Sequence, residues 1–290
     1  MDYMVRGTAG NGHVRIFSCV SKEICETARE IHDTTPNATA ALGRLLTGGV
    51  MMGLMMKNDS AVLSLSIKSD GPMKGLTVST DSHGHVKGFP YVAKVPFEEL
   101  RPGKLNVGAS VGNGTLTVIR DEGAGEPYSS QTDLLSGEIA EDLTVYFAES
   151  EQVPSAVGLG VLVGTDTKVQ TAGGFIVQMM PDATEEDITA VENGLHRFGA
   201  VTDHFAAGKT PEELVQIVLS DIDPEILEKT PIEFKCNCSR DRVSRALISI
   251  GKKDLKDIIE DGKPIELGCN YCRSKYAFTI DEIKEMLNEK

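Results

Sequence analysis

The 290-residue sequence lacks the features that would place a protein in a membrane, on nucleic acid or at work on ATP. Its first thirty residues hold no uninterrupted apolar run behind a basic start, so no secretory signal is read there and a reducing cytoplasm is the expected location. The most apolar stretch, Asn37 to Lys57, is interrupted by Arg44 and four glycines and has no second segment like it. It is therefore expected to be a buried helix, not a membrane span. A basic stripe is also missing. Net charge is −14; residues 231–290 carry 12 Lys and Arg against 11 Asp and Glu, which leaves residues 1–230 with 17 against 32, a net −15. Affinity for a phosphate backbone comes from clustered Lys and Arg, so nucleic acid is not an expected partner. No G-x-x-x-x-G-K-[ST] loop is present, which removes the commonest route to ATP use.

Cysteine is scarce as well, and its distribution is uneven. Four of the six cysteines lie between Cys236 and Cys272, as a C-x-C and a C-x-x-C separated by 30 residues, and no histidine follows His204. In a reducing compartment such pairs are metal ligands or redox centres more often than permanent disulfides. Two short-spaced pairs let two local turns each present two thiolates to one zinc ion. Cys236 and Cys238, as i and i+2 residues of an extended segment, point the same way and chelate together only with some backbone adjustment. Four thiolates around a divalent cation leave a net −2, which Lys235, Arg240 and Arg273, adjacent to the ligands in sequence, are expected to offset. Spacing alone leaves other readings open: a constitutive interaction protein with a structural zinc module, or a thiol-disulfide oxidoreductase using Cys269 and Cys272. The catalytic form of C-x-x-C opens a helix after a central strand, whereas Cys269 follows the hairpin-like PIELG.

The expected fold class is α+β. HVRIFSCV, AVLSLSIKS, GLTVSTD, HVKGFPYV, TLTVIRD, VGLGVLVG and KVQTAGGFIVQMM are β-branched or alternating runs bounded by turn residues, the pattern of strands. KEICETAREIH, the Asn37 to Lys57 segment and GEIAEDLTVYFAES carry helical periodicity, the last through Ile139, Leu143, Tyr146 and Phe147. This large mixed sheet-and-helix domain is expected over residues 1–180. Residues 181–230 are expected to form a helical linker arm, without a core of its own, its first helix capped by Thr184 with Asp187. Residues 231–290 read as a small module: a strand IEFKC, helices from Ser239 to Gly251 and over KKDLKDIIE, a hairpin PIELGCNYCRSKYAFT, and a last helix capped by Thr279 with Glu282. A piece that small needs a staple, and the four cysteines are the candidate.

Other residues invite chemistry and have simpler accounts. Gly108 to Gly112 matches G-x-S-x-G around Ser110, but a nucleophile elbow needs strand, turn and helix, and a strand follows here. His83 and His85 sit in a polar loop before a strand. Cys19 and Cys25 read as core residues of a strand and the next helix, without an assigned role. Met51, Met52, Met55 and Met56 read as packing, with an adaptable client-binding surface as the alternative.

The segments FKCNCSRDR and CNYCRSKYAFT, with the gap between them, resemble the C-terminal zinc module of the redox-regulated 33-kilodalton heat-shock chaperone family. TPNATAALGRLLTGGVMMG, EPYSSQTDLLSGEIAEDLTVYF, SEQVPSAVGLGVLV and AGGFIVQMMP resemble it too, so the likeness spans nearly the whole chain. It implies a non-enzymatic, ATP-independent holdase, reduced and inactive with one zinc per chain on Cys236, Cys238, Cys269 and Cys272. It further implies that oxidants convert these residues to redox-active disulfides, Cys236 with Cys238 and Cys269 with Cys272. Zinc is then lost, the module and the arm unfold, and apolar surface opens to unfolding client proteins, usually in a homodimer.

Overall fold

The computed structural model describes residues 1–123 and 125–288. The chain divides into two compact units, Met1–Lys235 and the residues from Cys236 onward. The first begins with β1 (Tyr3–Ala9), β2 (Val14–Val20), α1 (Lys22–His32) and α2 (Pro36–Leu54). Then come β3 (Val62–Ser69), β4 (Gly75–Asp81), β5 (His85–Pro90), the short β6 (Glu99–Arg101) and β7 (Lys104–Leu105), and α3 (Val107–Val111). β8 (Gly114–Asp121), β9 (Tyr128–Asp133), α4 (Ala140–Glu149), β10 (Ser155–Val163) and β11 (Val169–Met179) follow. The unit ends with α5 (Glu185–Phe198), α6 (Val201–Ala206), α7 (Pro211–Val218), β12 (Glu225–Pro231) and β13 (Glu233–Phe234).

Two sheets enclose α2. One has the order β10-β11-β2-β1-β12 and is antiparallel throughout; the other has the order β13-β5-β4-β3-β8-β9, with β13 parallel to β5. As the interrupted apolar run suggests, α2 is a buried helix, with all but three of its residues out of solvent. Among the described residues no helix is long and apolar enough to cross a membrane. The glycines of α2 set how closely the sheets approach. A Cβ on Gly49 would stand 2.9 Å from Val78 of β4, and one on Gly43 2.9 Å from Val161 of β10 and from the Cys25 sulfur. Arg44, the one charge in the helix, is held by Glu138 at 2.6 Å.

The five-stranded sheet is apolar on both faces, and alternation along single strands serves two cores. Met4, Phe17, Cys19, Ala172 and Ile176 face α2, while Val5, Val14, Ile16, Phe175 and Val177 belong to a second cluster. Residues of α5, α6 and α7 close that second cluster: Val191, Phe198, Val201, Phe205, Leu214, Val215 and Val218, with Leu219 just beyond. The stretch read as an arm without a core therefore carries one, because its amphipathic helices find an apolar sheet face. It is also not wholly helical. Glu225–Pro231 forms the edge strand β12, antiparallel to β1. The Thr184–Asp187 cap is present as a reciprocal box, with Thr184 N donating to Asp187 Oδ2 at 2.9 Å and Asp187 N to Thr184 Oγ1 at 3.2 Å.

The second unit contains α8 (Arg240–Ser249), α9 (Lys252–Asp261), the antiparallel hairpin β14 (Ile265–Gly268) and β15 (Lys275–Phe278), and α10 (Ile280–Asn288). Glu282 and Thr279 cap α10 reciprocally, at 2.8 Å and 3.3 Å. Its core is four buried side chains, Leu247, Leu255, Phe278 and Ile283, with partly buried residues such as Val243 and Ile258 around them. The expected strand IEFKC is shorter than predicted. Only Glu233–Phe234 pairs, and it pairs within the first unit.

Candidate metal centre

The four cysteines of the second unit converge. Their sulfurs all lie within 4.8 Å of one another, with Cys236 3.7 Å from Cys269 and Cys238 3.3 Å from Cys272. Cys236 and Cys238 lie in the extended segment that leads into α8, whose first turn Ser239 caps by accepting from Arg242 N at 3.2 Å. Cys269 and Cys272 lie in the turn between β14 and β15. That turn is closed by Cys269 N donating to Ser274 O at 2.8 Å and Arg273 N to Cys269 O at 2.9 Å, with Arg273 in the left-handed region at φ 61°. Four sulfurs bonded tetrahedrally to zinc at about 2.3 Å stand about 3.8 Å apart, so the cluster has the size and donor chemistry of such a site.

The protonation of the cluster points the same way. Burial pushes the Cys236 and Cys238 thiols up, and neighbouring thiols add to the shift at Cys236. Burial also opposes ionisation of Cys272, but hydrogen bonds with Ser274, Cys238 and Cys236 outweigh it and bring this thiol down to about 6. Thiols this close resist ionising together, and a divalent cation is what lets all four become thiolates. The four cysteines are thus positioned to bind a metal ion.

Two neighbours of the sulfurs were not singled out by sequence reasoning. The Tyr276 hydroxyl lies 3.1 Å from Cys238 Sγ, and this bond, ahead of burial, pushes the phenol up to about 12, which keeps its proton available to a Cys238 thiolate. Ser274 Oγ lies 3.2 Å from Cys272 Sγ. Their signal was positional: both follow Cys272 at even spacing on the strand side of the hairpin, where alternate side chains share a face. The basic residues expected to offset the thiolates are largely engaged elsewhere. Arg240 pairs with Glu282 at 2.6 Å and lies over the Phe278 ring, and Lys235 contacts Glu233 and His85 Nε2, each at 3.1 Å. Local hydrogen bonds, which spacing does not reveal, take over part of that stabilising role.

The remaining candidates are accounted for by packing and hydrogen bonding. Ser110 is buried in α3, its hydroxyl 3.3 Å from Asn106 O, and β8 follows as a strand. His83 Nε2 contacts Asp59 O at 2.9 Å and His85 Nδ1 contacts Asp81 at 2.8 Å; among the described residues they form no metal-sized cluster. Cys19 and Cys25 are buried, and burial pushes both thiols up, Cys25 to about 12. Met51 and Met52 are core residues, while Met55 and Met56 are half-buried at the end of α2.

Comparison with known proteins agrees with this architecture along the whole chain. Residues 2–279 match the family described as Hsp33 protein. The 33 kDa chaperonin of Agathobacter rectalis is 52% identical over 98% of this chain and 99% of its own length. That of Lachnoclostridium phytofermentans is 50% identical over 99% of this chain and 98% of its own. Both names are those of chaperones and not of enzymes. The crystal structure of the 33 kDa chaperonin (heat shock protein 33 homolog) from Thermotoga maritima superposes with a TM-score of 0.89 at 32% identity, covering 99% of this chain and 98% of that one. By whole-chain sequence match, shared fold and the four-cysteine cluster, the chain belongs to the Hsp33 family.

Proposed function

We propose that this protein is a cytoplasmic, ATP-independent holdase switched on by oxidation, with Cys236, Cys238, Cys269 and Cys272 as both zinc ligands and sensor. The observation that carries this reading is the convergence of the four sulfurs in a unit whose core is only four buried side chains. Bound zinc supplies a charge that holds four thiolates together and adds folding free energy to the module. The same thiolates are the nucleophiles that oxidants attack. Within each pair, one peroxide takes two electrons and two protons from two thiols, giving one disulfide and two waters. Disulfides Cys236–Cys238 and Cys269–Cys272, the pairing that family membership supports, close loops too short to restrain the chain. With both formed, no thiolate remains to hold the ion, and the module loses its staple.

The working division is a chaperone core over residues 1–180, an arm over 181–230 and a switch module over 231–290. The arm covers Val5, Val14, Ile16, Phe175 and Val177, and this sheet face is the apolar surface offered to unfolding clients once the arm is withdrawn, in a dimer of the oxidised chain. The body's acidic charge keeps loaded complexes soluble. Light scattering of a heat-labile client tests the reading, using reduced, oxidised and re-reduced zinc-loaded protein with metal content followed in parallel. Suppression by the oxidised form alone, with zinc lost and regained reversibly, is the expected result. Retention of zinc through mild oxidation, with equal protection by all forms, returns the module to a structural role. Turnover of a disulfide substrate makes it an oxidoreductase.

A further inference from the structure

Where α2 ends at Leu54, the inner face of the five-stranded sheet changes from apolar to charged. Two cavities of about 480 and 570 Å³ open there, and they share a wall made by Arg15, Met55, Met56 and Lys57. The first extends over Arg120, Phe147 and Gln178, the second over Arg6 and Phe17. Four cations, Arg6, Arg15, Lys57 and Arg120, line this region together with three carboxylates, Glu122, Glu151 and Glu228.

Arg15 is oriented by a hydrogen bond at Nε. It stands on β2 opposite Gln178 of β11, which stands opposite Ser155 of β10. Arg15 Nε donates to Gln178 Oε1 at 2.9 Å, and Gln178 Nε2 donates to Ser155 Oγ at 2.9 Å. This row across three strands fixes the guanidinium plane through Nε and leaves its two terminal nitrogens without an acceptor among the described residues. The three carboxylates of the lining are engaged by groups other than Arg15, Glu122 accepting from Asn58 Nδ2 at 3.2 Å. Glu151 accepts from Arg120 at 2.8 Å and from the Tyr146 hydroxyl at 2.6 Å, and Glu228 lies 4.0 Å from Arg6. Burial, then the like charge of Arg6, holds the Arg15 guanidinium below its ordinary range, with the charge of Glu151 offsetting part of the effect. A half-buried arginine next to a second arginine, oriented but unpaired, raises the energy of the free protein and suits a ligand of opposite charge.

We propose that these joined cavities bind a small organic oxyanion, a phosphate or carboxylate carried on an apolar body. Arg15 presents its free fork to two oxygens, a match for a planar guanidinium that lysine does not reproduce. Lys57 adds to the wall a second positive charge, uncommitted among the described residues, while Arg120 and Arg6 stand beside it already paired with Glu151 and Glu228. Met55, Met56 and Phe147 receive the apolar part, the methionines adapting to its shape. The cavities fall in the usual size range of small-molecule sites, which runs from about 300 to 1,000 Å³.

Calorimetric titration of the reduced, metal-loaded full chain with inorganic phosphate, phenyl phosphate and hexanoate tests this. Phenyl phosphate or hexanoate is expected to bind more tightly than inorganic phosphate, and more weakly as salt is raised. Whichever of the two binds tighter identifies the oxyanion. Arg15→Gln is expected to weaken binding by about tenfold or more, and Arg15→Lys by less, because charge survives but the fork does not. Circular dichroism and metal content report whether each variant is folded. Should Arg15→Gln fail to fold, Arg15→Lys and the exposed Lys57→Gln carry the test. No binding of any probe at about 10 mM, weaker than any affinity useful to a cell, overturns the proposal. Unchanged affinity in folded Arg15→Lys and Lys57→Gln variants overturns it too, and equal affinity for inorganic and phenyl phosphate overturns its apolar half.

Discussion

Stripping metal from the reduced protein with a chelator should unfold the second unit and leave α5, α6 and α7 in place. Among the described residues the second unit buries Leu247, Leu255, Phe278 and Ile283, and at about 1.5–3 kcal/mol per side chain their transfer from water supplies roughly 6–12 kcal/mol. Structural zinc in modules of this kind supplies about 10–16 kcal/mol, comparable to the whole apolar core or larger. Removing it takes away roughly half or more of what opposes conformational entropy. The helices of the arm depend on something else. Their eight side chains in the second cluster of the larger unit are worth roughly 12–24 kcal/mol on the same scale, and no cysteine contributes to it. Hydrogen exchange at 25 °C should therefore show amides of α8, α9 and α10 losing protection on chelation, while those between Val191 and Leu219 keep theirs until the temperature is raised. Simultaneous loss in both regions at 25 °C would refute the reasoning, as would persistent protection of α8 to α10 without metal. On the proposed function, oxidation is expected to follow the same two steps, with heat as a second input.

Three further outcomes follow from single residues. Tyr276→Phe removes the donor to Cys238 and should weaken zinc binding by about tenfold, the lower end of what outer partners of metal ligands contribute, while leaving secondary structure intact; a competition titration against a chromophoric chelator measures it. Asp2 is buried, accepts from Ile24 N at 2.8 Å, and has its carboxyl raised by burial to about 6. Because the folded state holds this proton more tightly than the unfolded chain, stability contributed by the neutral form is present below about pH 4 and is lost as pH rises through about 6. Asp2→Asn keeps the acceptor and removes the charge, so denaturant midpoints of the variant should exceed those of the parent at pH 7.5 by about 1–3 kcal/mol equivalent and converge with them near pH 4. An unchanged difference across that range would show that Asp2 does not titrate in the window. Gly49→Ala places a Cβ 2.9 Å from Val78 and should destabilise the larger unit by about 1–3 kcal/mol in urea unfolding, with no change in metal content.

Elements with strong local periodicity were legible in the sequence. KEICETAREIH is α1 from end to end, and the interrupted apolar run of residues 37–57 is the buried α2. β12 was not legible. EILEKTP is an exposed edge strand whose only reason to be extended is its pairing with β1, more than two hundred residues away, so no local pattern marks it. β9, YSSQTD, is a polar edge strand for the same reason. The cysteine cluster was visible because ligand spacing is a local property. The hydrogen bonds of Tyr276 and Ser274 were not, because they depend on the fold of the hairpin.

Adjacent residues of β2 have opposite duties. Phe17 is locked under α2, whereas Ile16 lies under the arm with Val14. The side chains that hold the arm down are therefore the ones a withdrawn arm would expose. On the proposed function, a smaller residue at Val14 or Ile16 would weaken the grip on a client and the grip on the arm together. Sensitivity and capacity cannot be set independently on this face. An arm that opens readily uncovers a surface of modest affinity, and a surface of high affinity stays shut longer. If the proposed function holds, such a protein would gain capacity by adding copies and sensitivity through the cysteines, whose oxidation is chemically separate from the apolar face.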